Sequence, residues 1–331
     1  MKWLFFIAGL IRGANAFAQQ PGDLKVIAAH YSADTAFIIP EKDLVPECIT
    51  YDVKTGIFFV GSIYKRKLIA IGHNGTINDF VTTATDGLHA VLGIKADEKR
   101  RWLWALSCNA PFVPTNATVK DTSYTTAIFK YNIDNGKLVK KYVLKDTAVV
   151  FNDLTINEDG DAFITNTHSG SIYTVNHAKD YPEEFLPRKS FKEPNGIAVW
   201  KNSLFIAHDA GVALIDLATK KIQLIATRGK DFIGGIDGMY FYKGCLIGVQ
   251  NVTDLKKVIK IHLSDSFNRA EKIDTLYANT APLDYYLPTT GTIVNGYFYF
   301  IFNSQVANFD KNGKIFPMDN LYPVMIMKLK L

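Results

Sequence analysis

The sequence predicts an all-β fold, a six-bladed β-propeller whose blades are four-stranded antiparallel sheets. A short alternating strand, a turn and an apolar strand recur six times along the 331 residues. The shorter steps between repeats are 42 or 43 residues, which is the length of one propeller blade. Helical periodicity is nearly absent, and this disfavours a parallel α/β fold.

Each repeat opens with a polar residue, and these residues set the repeat spacing. They are Glu47, His89, Asn152, Asn195, Asp237 and Thr290. The steps between them are 42, 63, 43, 42 and 53 residues. We expect the two long steps to hold insertions, over residues 109–126 in the second repeat and 251–287 in the fifth. Each repeat has room for two further strands, separated by turn residues such as Asn135-Gly136.

The first 18 residues are predicted not to belong to the folded domain, which is expected to begin after them. Residues 1–18 combine Lys2, an apolar stretch and small-x-small cleavage sites, as signal peptides do. We therefore expect an exported protein, periplasmic or extracellular, with residues 19–331 forming a single propeller domain. The strand Leu24–Ala29 is expected to pair into the last blade and close the ring, which would protect the sheet edges.

The composition excludes several classes of protein. Hydrophobic residues make up 48% of the chain and charged residues 21%, which is typical of a globular protein and not of a disordered one. Removing residues 1–18 would lower the net charge from +5 to +3. Lys and Arg are scattered, so no nucleic-acid partner is expected. No apolar run is long enough for stable membrane insertion, and the oligomeric state is not indicated. Cys48, Cys108 and Cys245 are expected to be buried free thiols, although one disulfide remains possible.

The innermost strands of a propeller begin at one mouth of the central channel, so the six polar residues should converge there. Glu47 and Asp237 supply carboxylates, and Asn152 and Asn195 supply carbonyl oxygens. Oxygen ligands of this kind suit a divalent cation, Ca²⁺ before Mg²⁺, with Mn²⁺ and Zn²⁺ as further possibilities. The alternative is a mouth where these groups bond to one another and to buried water.

Four motifs around these residues resemble one family. The motifs are Val45-Pro-Glu47-Cys48, Phe151-Asn152-Asp153-Leu154 followed by Glu158-Asp159-Gly160, Pro194-Asn195-Gly196-Ile197, and Gly235-Ile236-Asp237-Gly238-Met239. Over about residues 40–305 the chain is similar to the senescence marker protein (regucalcin), gluconolactonase and luciferin-regenerating enzyme family. This resemblance implies a six-bladed propeller with one divalent metal at the channel mouth, and lactone hydrolysis.

The resemblance also implies roles for single residues. Glu47, Asn195 and Asp237 match the metal ligands, Asn152 matches an asparagine beside the metal that contacts substrate, and Asp237 matches the general base. Sugar-binding members have arginine two positions before the Asn152 equivalent, but this chain has Val150, which argues against a sugar-acid lactone. His89 resembles a paraoxonase histidine assigned to proton transfer; the alternative is a histidine hydrogen-bonded at the channel wall.

These features predict an exported hydrolase of a small-molecule lactone or ester that depends on a divalent cation. The metal would polarise the carbonyl, and Asp237 or His89 would take a proton from water. Further substrate contacts are expected where the second strand of each blade returns to the same mouth. The candidates are Asn109, His168, His208 and Asn251, together with Asn152 and Thr290. The insertion 109–126 could form a lid over them.

Two other functions are compatible with the same fold. A non-catalytic propeller would bind an ion or ligand at this mouth as a sensor or scaffold, because fold does not determine function. A strictosidine-synthase-like enzyme would form a carbon–carbon bond and would need a glutamate for acid–base chemistry, which the sequence does not locate. Turnover of lactones and aryl esters, with and without Ca²⁺, would separate these functions.

Overall fold

The structure, a computed structural model, describes residues 32–110, 113–117, 125–229, 231–253, 255–310 and 312–331. Within these ranges the strands form six four-stranded antiparallel sheets, so the predicted six-bladed propeller is confirmed. The signal peptide predicted over residues 1–18 and the strand predicted over Leu24–Ala29 lie outside the described residues. The domain boundary after residue 18 therefore stays a prediction.

The blades follow one another along the chain, and their strands run from the channel outward. Strand β1 (Asp34–Ile39) belongs to the last blade. Blade 1 contains β2 (Pro46–Asp52), β3 (Ile57–Ser62), β4 (Leu68–Ile71) and β5 (Ile77–Val81). Blade 2 contains β6 (Ala90–Asp97), β7 (Trp102–Cys108), β8 (Thr126–Asn132) and β9 (Leu138–Leu144). Blade 3 contains β10 (Phe151–Ile156), β11 (Ala162–Asn166), β12 (Ser171–Val175) and β13 (Pro182–Leu186).

The second half of the ring repeats this arrangement. Blade 4 contains β14 (Ile197–Trp200), β15 (Ser203–His208), β16 (Gly211–Asp216) and β17 (Ile222–Leu224). Blade 5 contains β18 (Ile236–Tyr242), β19 (Cys245–Gln250), β20 (Lys256–Leu263) and β21 (Ala270–Asn279). Blade 6 contains β22 (Gly291–Val294), β23 (Tyr297–Ile301) and β24 (Val324–Lys330). Short 3₁₀ helices cover Lys42–Leu44, Thr85–Gly87 and Met318–Asn320.

The ring closes through an N-terminal strand, as predicted, but a different segment provides it. Strand β1 pairs antiparallel with β24, with Ile39 opposite Val324, and forms the outer edge of blade 6. The first and last strands therefore share one sheet, and opening the ring would break that sheet. The inner strands β2, β6, β10, β14, β18 and β22 contact one another in cyclic order around the channel.

Apolar side chains on the sheet faces hold neighbouring blades together. Phe59, Val91 and Phe129 belong to one fully buried or nearly buried cluster between blades 1 and 2. Phe205 and Met239 belong to an equivalent cluster between blades 4 and 5. Burial of this kind stabilises by about 25 cal/mol per Å² of apolar surface. The clusters fix the blades rigidly, so the strand ends at the channel are fixed as well.

The long steps in the repeat have different structural causes. In blade 2, the described part of the predicted insertion begins where the Asn109 N–H donates to the Thr125 carbonyl at 2.8 Å. The segment is tied to blade 1, since Asn116 bonds to the Tyr64 carbonyl and to the Arg66 guanidinium. In blade 5 the extra length goes largely into strands β20 and β21, which have 8 and 10 residues.

The three cysteines agree with the expectation from the sequence. Cys48, Cys108 and Cys245 are buried and free, as expected. Burial raises the pKa of the Cys108 thiol to about 12, so it stays protonated and unreactive at neutral pH. In the ranges described above, no helix is long and apolar enough to cross a membrane.

Candidate metal centre at the channel mouth

The six inner strands begin at one end of the channel, here called the upper mouth, and β-bulges interrupt several of them there. In blade 3, Asn152 and Asp153 together oppose the single residue Thr165. In blade 1, Glu47 is the one extra residue between two regular pairs. A bulge breaks the strict alternation of side chains and redirects them locally. Glu47 and the Asn152-Asp153 pair therefore take positions that a regular strand would not give them.

Blades 4 and 5 repeat this feature. The Ala207 carbonyl accepts from the Asn195 N–H at 2.9 Å, and the Ala207 N–H donates to the Gly196 carbonyl at 2.8 Å, so two residues share one partner. In blade 5, Asp237 and Gly238 together oppose one residue of β19. All four predicted metal ligands are thus located in bulges at the same mouth.

Blades 2 and 6 differ from the other four. In blade 2 the bulge falls at Leu92, three residues after His89. Blade 6 pairs regularly from Gly291 onward. Thr289 and Thr290 donate their hydroxyl hydrogens to the Glu47 carbonyl, each at 2.9 Å, and so fix the backbone of Glu47. Blade 6 thus supports the ligand position of blade 1, and no contact of Thr290 with a substrate follows from this geometry.

Two glycines let neighbouring inner strands approach closely at this level. A Cβ atom on Gly196 would lie 2.6 Å from the Asp237 carbonyl oxygen. One on Gly238 would lie 2.8 Å from Thr290 Cα. Both distances are too short for any other residue, so glycine is required for the approach of blade 4 to blade 5 and of blade 5 to blade 6. This close approach brings Asn195 beside Asp237.

Asp237 is the centre of the polar network. Its Oδ1 accepts a hydrogen bond from Asn195 Nδ2 at 2.8 Å, and its Oδ2 accepts one from Asn251 Nδ2 at 2.7 Å. Asn251 also donates to the Pro288 carbonyl at 2.8 Å. The sequence placed Asn251 at this mouth as a substrate-binding residue. The structure instead gives it the role of holding the Asp237 carboxylate.

Several oxygen atoms of the predicted ligands have no donor. Asn152 Nδ2 donates to Thr167 Oγ1 at 3.1 Å, and Asn195 Nδ2 donates to Asp237, so both amide carbonyls are left available. Asn195 Oδ1 and Glu47 Oε2 are buried without a hydrogen-bond partner among the described residues. An unsatisfied buried acceptor costs about 1–3 kcal/mol of folding free energy. A cation or a water molecule bound to these oxygen atoms would remove that cost.

Three carboxyl groups share this part of the channel. Burial, followed by repulsion from Asp237 and Asp153, raises the pKa of Glu47 well above its usual value. Burial raises the pKa of Asp237 to about 7, although the hydrogen bonds from Asn251 and Asn195 act to lower it. Burial also raises the pKa of Asp153 to about 7, opposed by its hydrogen bond from the Leu154 N–H and by the Lys95 ammonium. A divalent cation would relieve the mutual repulsion of these groups.

The oxygen atoms of the predicted ligands therefore suit a hard cation. Carboxylate or imidazole ligands alone would not be enough to hold it. In the part of the chain that the structure describes, no three His, Cys, Asp or Glu side chains are grouped so that they could hold a metal. The predicted set has only two carboxylates, from Glu47 and Asp237. Amide oxygens of Asn152 and Asn195 would have to complete it, as in oxygen-rich Ca²⁺ sites.

The predicted histidines occupy the same end of the ring. His89 directly precedes β6 and is buried, and its backbone N–H donates to Ser107 Oγ at 2.8 Å. His208 ends β15, and its Nδ1 accepts from the Ala210 N–H at 3.2 Å. Its Nε2 is buried with no partner among the described residues. Burial lowers the pKa of His208, which keeps a neutral imidazole with its proton on Nε2. His168 and Asn109 follow β11 and β7 and are half-buried.

Sequence reasoning did not identify three polar residues of the channel. Asp153 follows Asn152 directly, and strict alternation would direct its side chain away from that of Asn152. Tyr240 accepts the Gly291 N–H at its hydroxyl at 2.7 Å. Lys95 Nζ lies 5.6 Å from the centre of the Tyr240 ring. A lysine and a tyrosine within or beside predicted inner strands were the sequence features that could have identified Lys95 and Tyr240.

Comparisons with known proteins extend the fold assignment. No protein-family model matches the chain, and a search of curated protein sequences finds no significant match. Among solved structures, a gluconolactonase from Xanthomonas campestris matches 92% of this chain and 99% of its own, with a TM-score of 0.57 and 11% identity. Gluconolactonases share this fold. The resemblance predicted from the four motifs is thereby supported at the level of the propeller.

Two other solved structures match with TM-scores of 0.66 and 0.58. The major allergen Mala s 1 of Malassezia sympodialis matches 88% of this chain and 95% of its own, with a TM-score of 0.66 and 13% identity. Virginiamycin B lyase from Staphylococcus aureus matches 88% of this chain and 83% of its own, with a TM-score of 0.58 and 14% identity. At such identities the likeness concerns the fold alone, and the chemistry has to be argued from the site.

Proposed function

We propose that this protein hydrolyses a lactone or ester with the help of one divalent cation, Ca²⁺ for preference, bound at the upper mouth. The observation that carries the proposal is the orientation of the amides. The side-chain N–H groups of Asn152 and Asn195 donate hydrogen bonds to Thr167 Oγ1 and Asp237 Oδ1. Glu47 Oε2 and Asn195 Oδ1 are buried acceptors that receive no hydrogen bond from the described residues. Oxygen atoms left in this state are the ligands that Ca²⁺ uses.

Glu47, Asn152, Asn195 and Asp237 would hold the cation. When bound, a divalent cation supplies Lewis-acid polarisation of the substrate carbonyl. The charges of the channel support this assignment. The carboxylates of Glu47, Asp153 and Asp237 carry three negative charges against the one positive charge of Lys95, so a divalent cation would make the group neutral.

The side chains of the chain account for the proton transfer. Asp237 would accept a proton from the attacking water, and burial raises the pKa of its carboxyl group, which makes the carboxylate a stronger base. Asn195 and Asn251 hold both of its oxygens, so the carboxylate cannot rotate away. The neutral His208 imidazole has an N–H donor that could support the developing oxyanion. His89 is the second candidate for proton transfer.

The wall beside the site favours a substrate with an apolar part. Val150, at the position where sugar-binding relatives have arginine, is buried in a cluster with Val45 and Leu92. Half-buried Tyr64 and Phe309 pack against this cluster, with their ring centres 5.8 Å apart. Because these side chains are apolar and position 150 holds valine in place of arginine, we expect an alkyl or aryl lactone or ester to be preferred over a sugar-acid lactone.

A substrate screen tests the proposal. The full chain would be assayed against aliphatic lactones, aryl esters and gluconolactone, in Ca²⁺ and in chelator. We expect Ca²⁺-dependent turnover of at least one apolar lactone or ester, abolished by chelator. Thermal stabilisation by Ca²⁺ without any turnover would instead indicate a binding propeller. Full turnover in the metal-stripped protein would contradict the mechanism.

A further inference from the structure

The lower half of the central channel contains a second cavity. Its volume is about 270 Å³, and residues of all six inner strands line it. The polar part of its wall consists of Lys95, Tyr240, Thr50, Thr155 and Thr292, with Glu98 among the other lining residues. None of the four predicted metal ligands lines it, so this cavity is separate from the upper mouth.

Lys95 is the main charged group of this cavity. It extends from blade 2 across the channel to the ring of Tyr240 in blade 5, with Nζ at 5.6 Å from the ring centre. No acceptor lies within hydrogen-bond distance of its ammonium among the described residues. The charges of Asp153 and Glu98 act on it only at longer range. Lys95 is half-buried, and its ammonium lies over the Tyr240 ring in a cation–π contact. Its hydrogen-bond donors are therefore available to a ligand in the cavity.

Hydroxyl donors surround the same space. Thr50 Oγ1 accepts the Ala96 N–H at 3.2 Å, which leaves its own O–H free to donate. Thr155 and Thr292 have hydroxyls with no partner in the described ranges, although both residues are more than 90% buried. The carboxylate of Glu98 accepts the Val53 N–H at 3.3 Å and belongs to an exposed residue at the rim. The interior of the cavity therefore offers one cation and several donors.

We propose that the lower cavity binds a small organic anion, a monocarboxylate with a short apolar body. The carboxylate would sit on the Lys95 ammonium and the threonine hydroxyls, as charge-assisted hydrogen bonds require. The apolar body would contact the remaining wall, to which Ile197, Met239 and Ile293 contribute. This inference does not depend on hydrolysis at the upper mouth, because none of the four predicted metal ligands lines this cavity. Lys95 is shared only through its longer-range charge interaction with Asp153.

Titration calorimetry with benzoate tests the proposal, and benzamide serves as its neutral counterpart. We expect benzoate to bind the full chain and benzamide to bind at least about tenfold more weakly. Lys95→Met should weaken benzoate binding by about ten- to a hundredfold, the value of a hydrogen bond to a charged group. Lys201→Met removes an exposed lysine outside this cavity and should leave the affinity within about twofold.

Further variants distinguish a folding defect and other binding sites from the proposed site. Lys95→Arg keeps the charge and should retain most of the affinity, provided that thermal melts confirm folding of both Lys95 variants. Glu47→Gln at the upper mouth should change benzoate binding little. The proposal is overturned if benzoate does not bind, if benzamide binds equally well, or if Glu47→Gln matters and Lys95→Met does not. Binding of inorganic phosphate but not of benzoate would overturn the carboxylate class.

Discussion

The two halves of the central channel are built from the same six strands in different ways. In the upper half, bulges and close glycine contacts bring Glu47, Asp153 and Asp237 together. In the lower half the inner strands pair in regular register, and the cavity holds one lysine and several threonines. A regular strand alternates its side chains, whereas a bulge lets successive residues serve one site. The acidic site therefore forms where bulges interrupt the regular pairing of the strands.

The largest effect is expected from Asp237→Ala. Loss of the general base and of one carboxylate ligand should reduce turnover by about 10²–10⁴-fold. Steady-state kinetics with the best ester from the screen measures this. Asp209→Ala is the matched control, since Asp209 is exposed and its carboxylate pairs with Lys192 at 2.7 Å. Activity of the Asp237 variant within about threefold of the wild type would remove the base from the mechanism.

The second largest effect should follow from Asn251→Ala, which removes the donor to Asp237 Oδ2. Residues that orient a ligand or base typically contribute about 10–100-fold. Because the Asn251 hydrogen bond lowers the pKa of Asp237, its loss should shift the acid limb of the pH–rate profile to higher pH. Asn202→Ala, at an exposed asparagine bonded to Asp216, provides the control. A lower rate with an unmoved profile would indicate a purely structural role for Asn251.

Gly196→Ala tests the close approach of blades 4 and 5. Its Cβ would lie 2.6 Å from the Asp237 carbonyl oxygen, so the strands would have to move apart. We expect a loss of about 1–3 kcal/mol in the free energy of unfolding, together with weaker Ca²⁺ binding. Urea denaturation and calcium titration measure the two effects. A variant as stable as the wild type, with normal Ca²⁺ affinity, would show that the upper half tolerates a wider channel.

The pH dependence of stability provides a further test in chelator-treated protein. Asp153 and Asp237 keep their protons up to a pH of about 7 when folded, but lose them near pH 4 when unfolded. The folded state thus binds more protons between these values. The contribution of these two carboxyl groups to the stability of the folded state is complete below about pH 4 and declines as the pH rises to about 7. Urea denaturation across this range should show a smaller decline for Asp153→Asn, and an equal decline would contradict the assignment.

The smallest effect is expected in the lower half. Thr292→Val replaces a hydroxyl that has no partner among the described residues, within a regular strand. The free energy of unfolding should change by less than about 1 kcal/mol, and Ca²⁺ affinity should stay the same. Differential scanning calorimetry and calcium titration measure these. A large loss of Ca²⁺ affinity would mean that the two halves are coupled.

The repeat period made much of this architecture predictable. A period near 42 residues fixes where each inner strand begins, so Glu47, Asn152, Asn195 and Asp237 could be placed at one mouth from sequence alone. Asp153 could not, because alternation assigns it to the opposite side and a bulge depends on the partner strand. The closing strand was expected at Leu24–Ala29, yet the structure pairs Asp34–Ile39 with β24. Pairing of a terminal strand depends on distant residues, and local pattern does not encode it.

Calorimetric titration of the chelator-stripped full chain with CaCl₂ shows whether the upper mouth binds one cation. We predict one binding site per chain, lost in both Glu47→Gln and Asp237→Ala and retained in Asp209→Ala. This result would join the unpartnered oxygens of the upper mouth to one cation. Absence of Ca²⁺ binding, or binding that both upper-mouth variants leave unchanged, would show that the upper mouth is not a Ca²⁺ site.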